Sequence, residues 1–130
     1  MKIYERHYSH TGVSYSSAVL TLDFPYEAKL RKFVVQQTVG TAVPFTAAVY
    51  NSDPTGLAAD VLSKFTVIPE QSASAGDAVS VFGTEYVYRN MEGTPTNPVA
   101  KIYVVITATV GGSPGATWEV AIGGDVVQSG

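Results

Sequence analysis

His7 and His10, with Glu5 just upstream, form the densest cluster of chemistry-bearing side chains in the sequence. Neutral imidazoles and a carboxylate are zinc ligands, so the group first suggests a metal site. Its spacing argues otherwise. Positions i and i+3 converge on a helix, but Ser9, Thr11 and Gly12 make this stretch extended, and in a strand residues 7 and 10 point to opposite faces. They are read as surface histidines in a polar segment. Asp23, Asp53, Asp60, Asp77 and Asp125 fall in or beside expected loops without the spacing of a calcium loop, and are read as solvated turn residues. Glu85 and Glu119 lie on expected strands, where two carboxylates would have to meet across a sheet to act as acid and base. No serine stands in a Gly-x-Ser-x-Gly elbow, and no glycine-rich phosphate loop is present. The expectation is a non-enzyme with no cofactor and no metal.

Aromatic residues offer binding rather than reaction. Tyr is the commonest aromatic, with 8 against 5 Phe and 1 Trp, and Tyr4, Tyr8 and Tyr15 fall near the start. Tyrosine joins a large apolar body to a polar tip, which suits half-wet interfaces. Residues 1–14 are therefore a candidate extended N-terminal arm. Ile3, Tyr4, Tyr8 and Tyr15 are expected in contacts with a neighbouring subunit; the opposed reading closes the end of the chain's own sandwich with them. Val126 and Val127, in the segment 123–130, are further contact candidates. Tyr86 and Tyr88 alternate along one strand and, with Trp118, are the candidate stacking platform for a sugar ring. Lys29, Arg31 and Lys32 form the one basic cluster, read as a solvated strand face.

Composition narrows the partners. Eight basic and 11 acidic residues give a net charge of −3, a poor match for a polyanion, so no nucleic acid is expected. The sign is uneven: five basic and three acidic groups in residues 1–40, three and eight thereafter. That asymmetry favours head-to-tail contact between copies. No apolar run approaches the roughly 18 residues of a membrane span, and residues 1–7 lack a signal-peptide core, so synthesis and folding in a cytosol are expected.

The elements that must position these residues are strands. The sequence holds 19 Val, 5 Ile and 13 Thr against 5 Leu, and stiff β-branched side chains suit a pleated surface. Period-two alternation runs through Ala18–Phe24, Phe45–Tyr50, Ile102–Val110 and Trp118–Ile122. Leu30–Gln37, Lys64–Ile68, Ala78–Phe82 and Glu85–Arg89 are expected as further strands. Asn51–Gly56, Gly93–Pro98 and Gly111–Gly115 have turn chemistry, the second expected to join two antiparallel neighbours. Leu57, Val61 and Leu62 fit one face of a short helix over Gly56–Ser63, or anchor an ordered loop. Without cysteine there is no disulfide framework. Seven to eight short strands in one domain over 1–130 are expected to fold as an all-β, antiparallel two-sheet sandwich, jelly-roll-like or Greek-key, which hides edges that one open sheet would expose.

The run Pro44-Phe45-Thr46-Ala47-Ala48-Val49-Tyr50-Asn51-Ser52-Asp53, followed by Gly56-Leu57-Ala58 and Val61-Leu62, resembles a strand-and-loop unit of jelly-roll sandwiches in phage virion proteins and in some carbohydrate-module-like surface domains. It covers about twenty residues, and its loop has Ala58-Ala59 where the usual unit has Pro-Gly. In style the whole chain resembles bacteriophage capsid decoration, cement or head-fibre proteins. The resemblance implies a capsid decoration or cement subunit. It would be assembled in the host cytoplasm and located in the virion, docked in many copies on the major capsid protein or other virion subunits, as a homo-oligomer or multi-copy assembly. The alternative it implies is a carbohydrate-binding module on a phage fibre or cell-surface protein.

Overall fold

Alternation decides which way a strand faces, and in the computed structural model, which describes residues 2–12, 18–108 and 116–126, Leu20 and Leu22, Phe45, Ala47 and Val49, and Ile102, Val104 and Ile106 point into one core. Eight strands lie among the described residues: β1 (Lys2–Gly12), β2 (Ala18–Asp23), β3 (Glu27–Val39), β4 (Phe45–Tyr50), β5 (Thr66–Ala73), β6 (Val79–Arg89), β7 (Lys101–Ala108) and β8 (Ala116–Val126). They form two four-stranded antiparallel sheets in the orders β1-β8-β3-β6 and β2-β7-β4-β5. The pairings 1:8, 2:7, 3:6 and 4:5 are those of one long hairpin, strands 1–4 outward and 5–8 returning, rolled into two layers. That is a jelly roll.

The core between the layers takes Leu20 and Leu22 from β2, Leu30, Phe33 and Val35 from β3, and Phe45 and Val49 from β4. To these are added Ile102, Val104 and Ile106 from β7, Trp118, Val120 and Ile122 from β8, Ile68 from β5, and Val79 and Tyr88 from β6. A second, smaller cluster lies on the outer face of the β2-β7-β4-β5 sheet. There Ala48, Tyr50 and Tyr103 are covered by Leu62, Phe65 and Val105. Leu62 and Phe65 come from the short helix α1 (Ala59–Leu62) and the 3₁₀ turn Ser63–Phe65 that follows it. Both faces of β4 are thereby buried, which is why its outward residues Ala48 and Tyr50 are apolar or aromatic.

Five expectations are corrected. The strands expected over 78–82 and 85–89 are one strand, β6, running from Val79 to Arg89 through Gly83, whose φ of 80° is easily adopted only by glycine. Lys64 belongs to the 3₁₀ turn, and β5 continues to Ala73 through Pro69, which an edge strand tolerates. The loop 93–98 does not join paired neighbours, because β6 and β7 lie in different sheets. The segment read as a candidate arm is extended and runs along β8 of its own chain from Lys2↔Val126 to Gly12↔Ala116, as the edge strand β1. Residues 123–126, read as part of a tail, belong to β8 between β1 and β3.

In β3 the inward residues are Ala28 and Leu30, then Phe33 and Val35, so the parity slips by one between Leu30 and Lys32. Arg31 is the extra residue of a β-bulge against β8. Opposite it the neighbouring strand has no room: a Cβ on Gly124 would lie 2.0 Å from the Lys29 carbonyl oxygen and 2.8 Å from Leu30 Cα. Both are backbone atoms, so relief requires moving β3 itself. Gly124→Ala is expected to destabilise the fold by about 3 kcal/mol, measured by urea denaturation; an unchanged midpoint would contradict this close approach.

Candidate contact surface

The bulge turns Arg31 outward, where its guanidinium reaches Asp125 of β8 at 2.7 Å and Glu85 of β6 at 2.8 Å. One side chain thus ties three adjacent strands. Asp125 is nearly buried, so its carboxylate depends on this partner; stranding such a charge costs several kcal/mol. A second link crosses the same sheet. Lys32 of β3 and Glu5 of β1 are both opposite Gly123 of β8, which has no side chain to block them, and they meet at 2.6 Å. Lys32, and next His7 at 3.3 Å, hold the exposed Glu5 carboxyl below its usual range. The basic cluster is therefore largely paired across strands.

At one end of the sandwich the β6–β7 connection packs against Tyr26. Asn90 is fully buried and organises this loop. Its backbone N–H donates to the Tyr26 carbonyl (2.9 Å), its Nδ2 to the Lys101 carbonyl (3.0 Å), and its Oδ1 accepts from the Glu92 N–H (2.7 Å). Thr94 and Asn97 exchange backbone hydrogen bonds of 3.0 Å, closing a tight turn. A Cβ on Gly93 would lie 2.5 Å from the Val99 nitrogen, so the loop is drawn in at that point. Arg89, the last residue of β6, donates its Nε–H to the Tyr26 hydroxyl at 2.9 Å and lies over the Tyr26 ring, 5.4 Å from its centroid. A cleft of about 410 Å³ opens here, lined by Pro25, Tyr26, Glu27, Arg89, Pro95, Pro98 and Val126. Arg89 has no carboxylate within ion-pair distance among the described residues, although Glu27 is its cross-strand neighbour.

Next to this cleft, β6 is an edge strand that presents apolar side chains to water. Phe82 is 60% and Val87 71% exposed, and Met91 just beyond the strand is also exposed. Phe82 is opposite Lys32 and Val87 opposite Lys29, so both stand on the outward face. The sequence reading missed these residues. Its available signal was Phe82, which breaks the Val79/Val81 alternation immediately before Gly83.

The expected sugar platform is corrected. Trp118 is only 4% exposed and packs edge-on to Phe45, with ring centroids 6.3 Å apart. Tyr88 is fully buried, edge-on to Phe24, and its hydroxyl donates to the Lys101 carbonyl. Tyr86 is half-buried against the core. None of the three offers an open ring face, because their strand faces are the inward ones. Of the expected contact residues, Ile3, Tyr4 and Tyr8 have backbone positions in β1 and their side chains lie outside the described set, as do Tyr15 and Val127 altogether. Val126 ends β8 and lines the cleft. His7 and His10 occupy β1 at odd separation, and no cluster of three metal-ligating side chains occurs among the described residues. Glu85 and Glu119 do not meet: Glu119 is opposite Gln36 and Glu85 reaches Arg31, five positions away on β3, or roughly 17 Å.

Burial raises the Tyr88 and Tyr103 hydroxyls well above the ordinary tyrosine range; for Tyr103, its 2.5 Å hydrogen bond to Glu92 adds to the effect. A raised folded-state value means stability that is full below about pH 10, where the unfolded tyrosines begin to ionise, and that falls as pH rises further. Equilibrium unfolding between pH 8 and 11.5 should show this alkaline loss, with a shallower slope in Tyr103→Phe; equal slopes would remove Tyr103 from the account.

No protein-family model matches the chain, and no curated protein matches it. Among solved structures it is similar to a chain in the cryo-EM structure of Mud crab tombus-like virus, with 14% identity and a TM-score of 0.39, covering 98% of this chain and 90% of that one. It is also similar to a chain in the structure of infectious bursal disease virus Gx strain, with 18% identity and a TM-score of 0.34, covering 95% of this chain and 33% of that one.

Proposed function

We propose that this chain is a structural subunit of a virion, used in many copies and working by surface fit with neighbouring subunits. The observation that carries the proposal is the outward apolar pair Phe82 and Val87 on an edge strand. An open strand edge has unpaired backbone donors and acceptors, and natural proteins ordinarily protect it with charge, proline or cover. On β1, the other edge of the same sheet, the described side chains are the exposed, charged or polar Glu5 and His7. β6 instead displays two large apolar side chains, which is the arrangement of a surface meant to be covered. Behind it, the Arg31 ion pairs link β6 to β3 and β8, and a docking surface already ordered in this way costs less entropy to engage. Many modest contacts of this kind sum to a durable shell.

Within that role, the resemblance of the whole short, cysteine-free, Val/Thr-rich chain to bacteriophage capsid decoration proteins favours a decoration or cement subunit bridging major capsid proteins. The carbohydrate-module alternative loses its stacking platform with Trp118 and Tyr88 in the core. Phe82→Ser with Val87→Ser should leave thermal unfolding within a few degrees of the parent and weaken assembly at least tenfold, read as sedimentation of the purified chain and as its copy number on virions. Full occupancy by the double variant would reject the proposal.

A further inference from the structure

We infer that the cleft at Arg89 is a socket for the Ser74–Ala78 turn of a second copy, with Asp77 of that turn as the carboxylate that Arg89 receives. This deepens the assembly reading above and rests on it.

Three features of the cleft specify its occupant. Its walls are mostly rigid and apolar, three prolines with Tyr26 and Val126, so a segment entering it meets preformed surface. Its cation is already aimed. The Tyr26 hydroxyl engages Arg89 through Nε, and the ring lies against the guanidinium, leaving the terminal nitrogens as a fork suited to a carboxylate. That charge has no partner of its own among the described residues.

The β5–β6 turn supplies the complement. Ser74, Ala75, Gly76, Asp77 and Ala78 are all exposed, and all except Asp77 are small and uncharged. The turn is closed by the Asp77 N–H donating to the Ser74 carbonyl at 2.9 Å, with Gly76 at a φ of 88°. It therefore projects as a narrow, preformed tip. The Asp77 carboxylate has no ion pair among the described residues.

Geometry makes the contact intermolecular. Asp77 precedes the first residue of β6 and Arg89 is the last, so the two stand at opposite ends of an 11-residue strand, roughly 35 Å apart. Tip and socket on opposite ends of one subunit give a head-to-tail contact, which propagates into rings or lattices rather than stopping at a pair. Glu27 on the socket's rim opposes an incoming carboxylate and keeps each contact weak.

Charge exchange tests the socket. Sedimentation velocity of the full chain over a concentration series should show self-association that weakens with added salt. Arg89→Glu and Asp77→Arg, both at exposed positions, should each weaken it at least tenfold while thermal unfolding stays near the parent. Mixing the two variants should restore association to within about threefold of the parent, because each then meets an opposite charge in alternation. Glu27→Gln should tighten it. If the parent associates and loses this on Phe82→Ser with Val87→Ser, but neither single charge variant matters or the mixture fails to recover, the socket is wrong and the assembly reading stands. A parent chain that remains monomeric at every concentration overturns the socket outright.

Discussion

The close approach of β3 to β8 at Gly124 is the constraint on which the rest of this surface depends. With no Cβ at Gly124, the Lys29–Leu30 backbone moves in against β8, and β3 absorbs the mismatch by bulging at Arg31. That extra residue reverses the facing of everything after it, so Leu30 and Phe33 both enter the core although three positions separate them. It also turns a guanidinium outward at the one place from which it reaches both β8 and β6. A single missing side chain thus sets register, core composition and the electrostatic tie across the sheet.

Much of this architecture is legible in the sequence because burial and strand period are coupled. Ala18–Phe24, Phe45–Tyr50 and Ile102–Ile106 alternate as written and fold as written. What escapes is whatever depends on pairing partners far away in sequence. The break at Gly83 looks like the end of a strand, since a glycine between apolar runs signals a turn as readily as a bulge. Trp118 and Tyr88 look like a binding platform because an inward aromatic and an outward one have the same letter. Only the identity of the facing sheet separates those cases. The contact surface was least legible of all: Tyr26 lies about sixty residues from Arg89 and Asn90, and is joined to them by the Arg89 Nε–H to Tyr26 hydroxyl bond and the Asn90 N–H to Tyr26 carbonyl bond, which carry no compositional signature.

The two edges of the β1-β8-β3-β6 sheet differ in what their described side chains present to water. On β1 the described side chains, Glu5 and His7, are ionisable and paired with each other, and Glu5 is tied across β8 to Lys32. On β6 the charges sit at the bulge and the terminus, and the stretch between has exposed apolar surface. Under the proposed role, such a difference leaves β6 as the edge that joins a neighbour.

The central claim is that β6 and the adjoining loop form the face covered on assembly. Hydrogen–deuterium exchange on dilute and assembled chain, resolved to peptides, tests it most directly. The account predicts new protection confined to residues 79–98 and the turn 74–78, with β1 amides unchanged. Protection that appears along β1, or nowhere in β6, would contradict it.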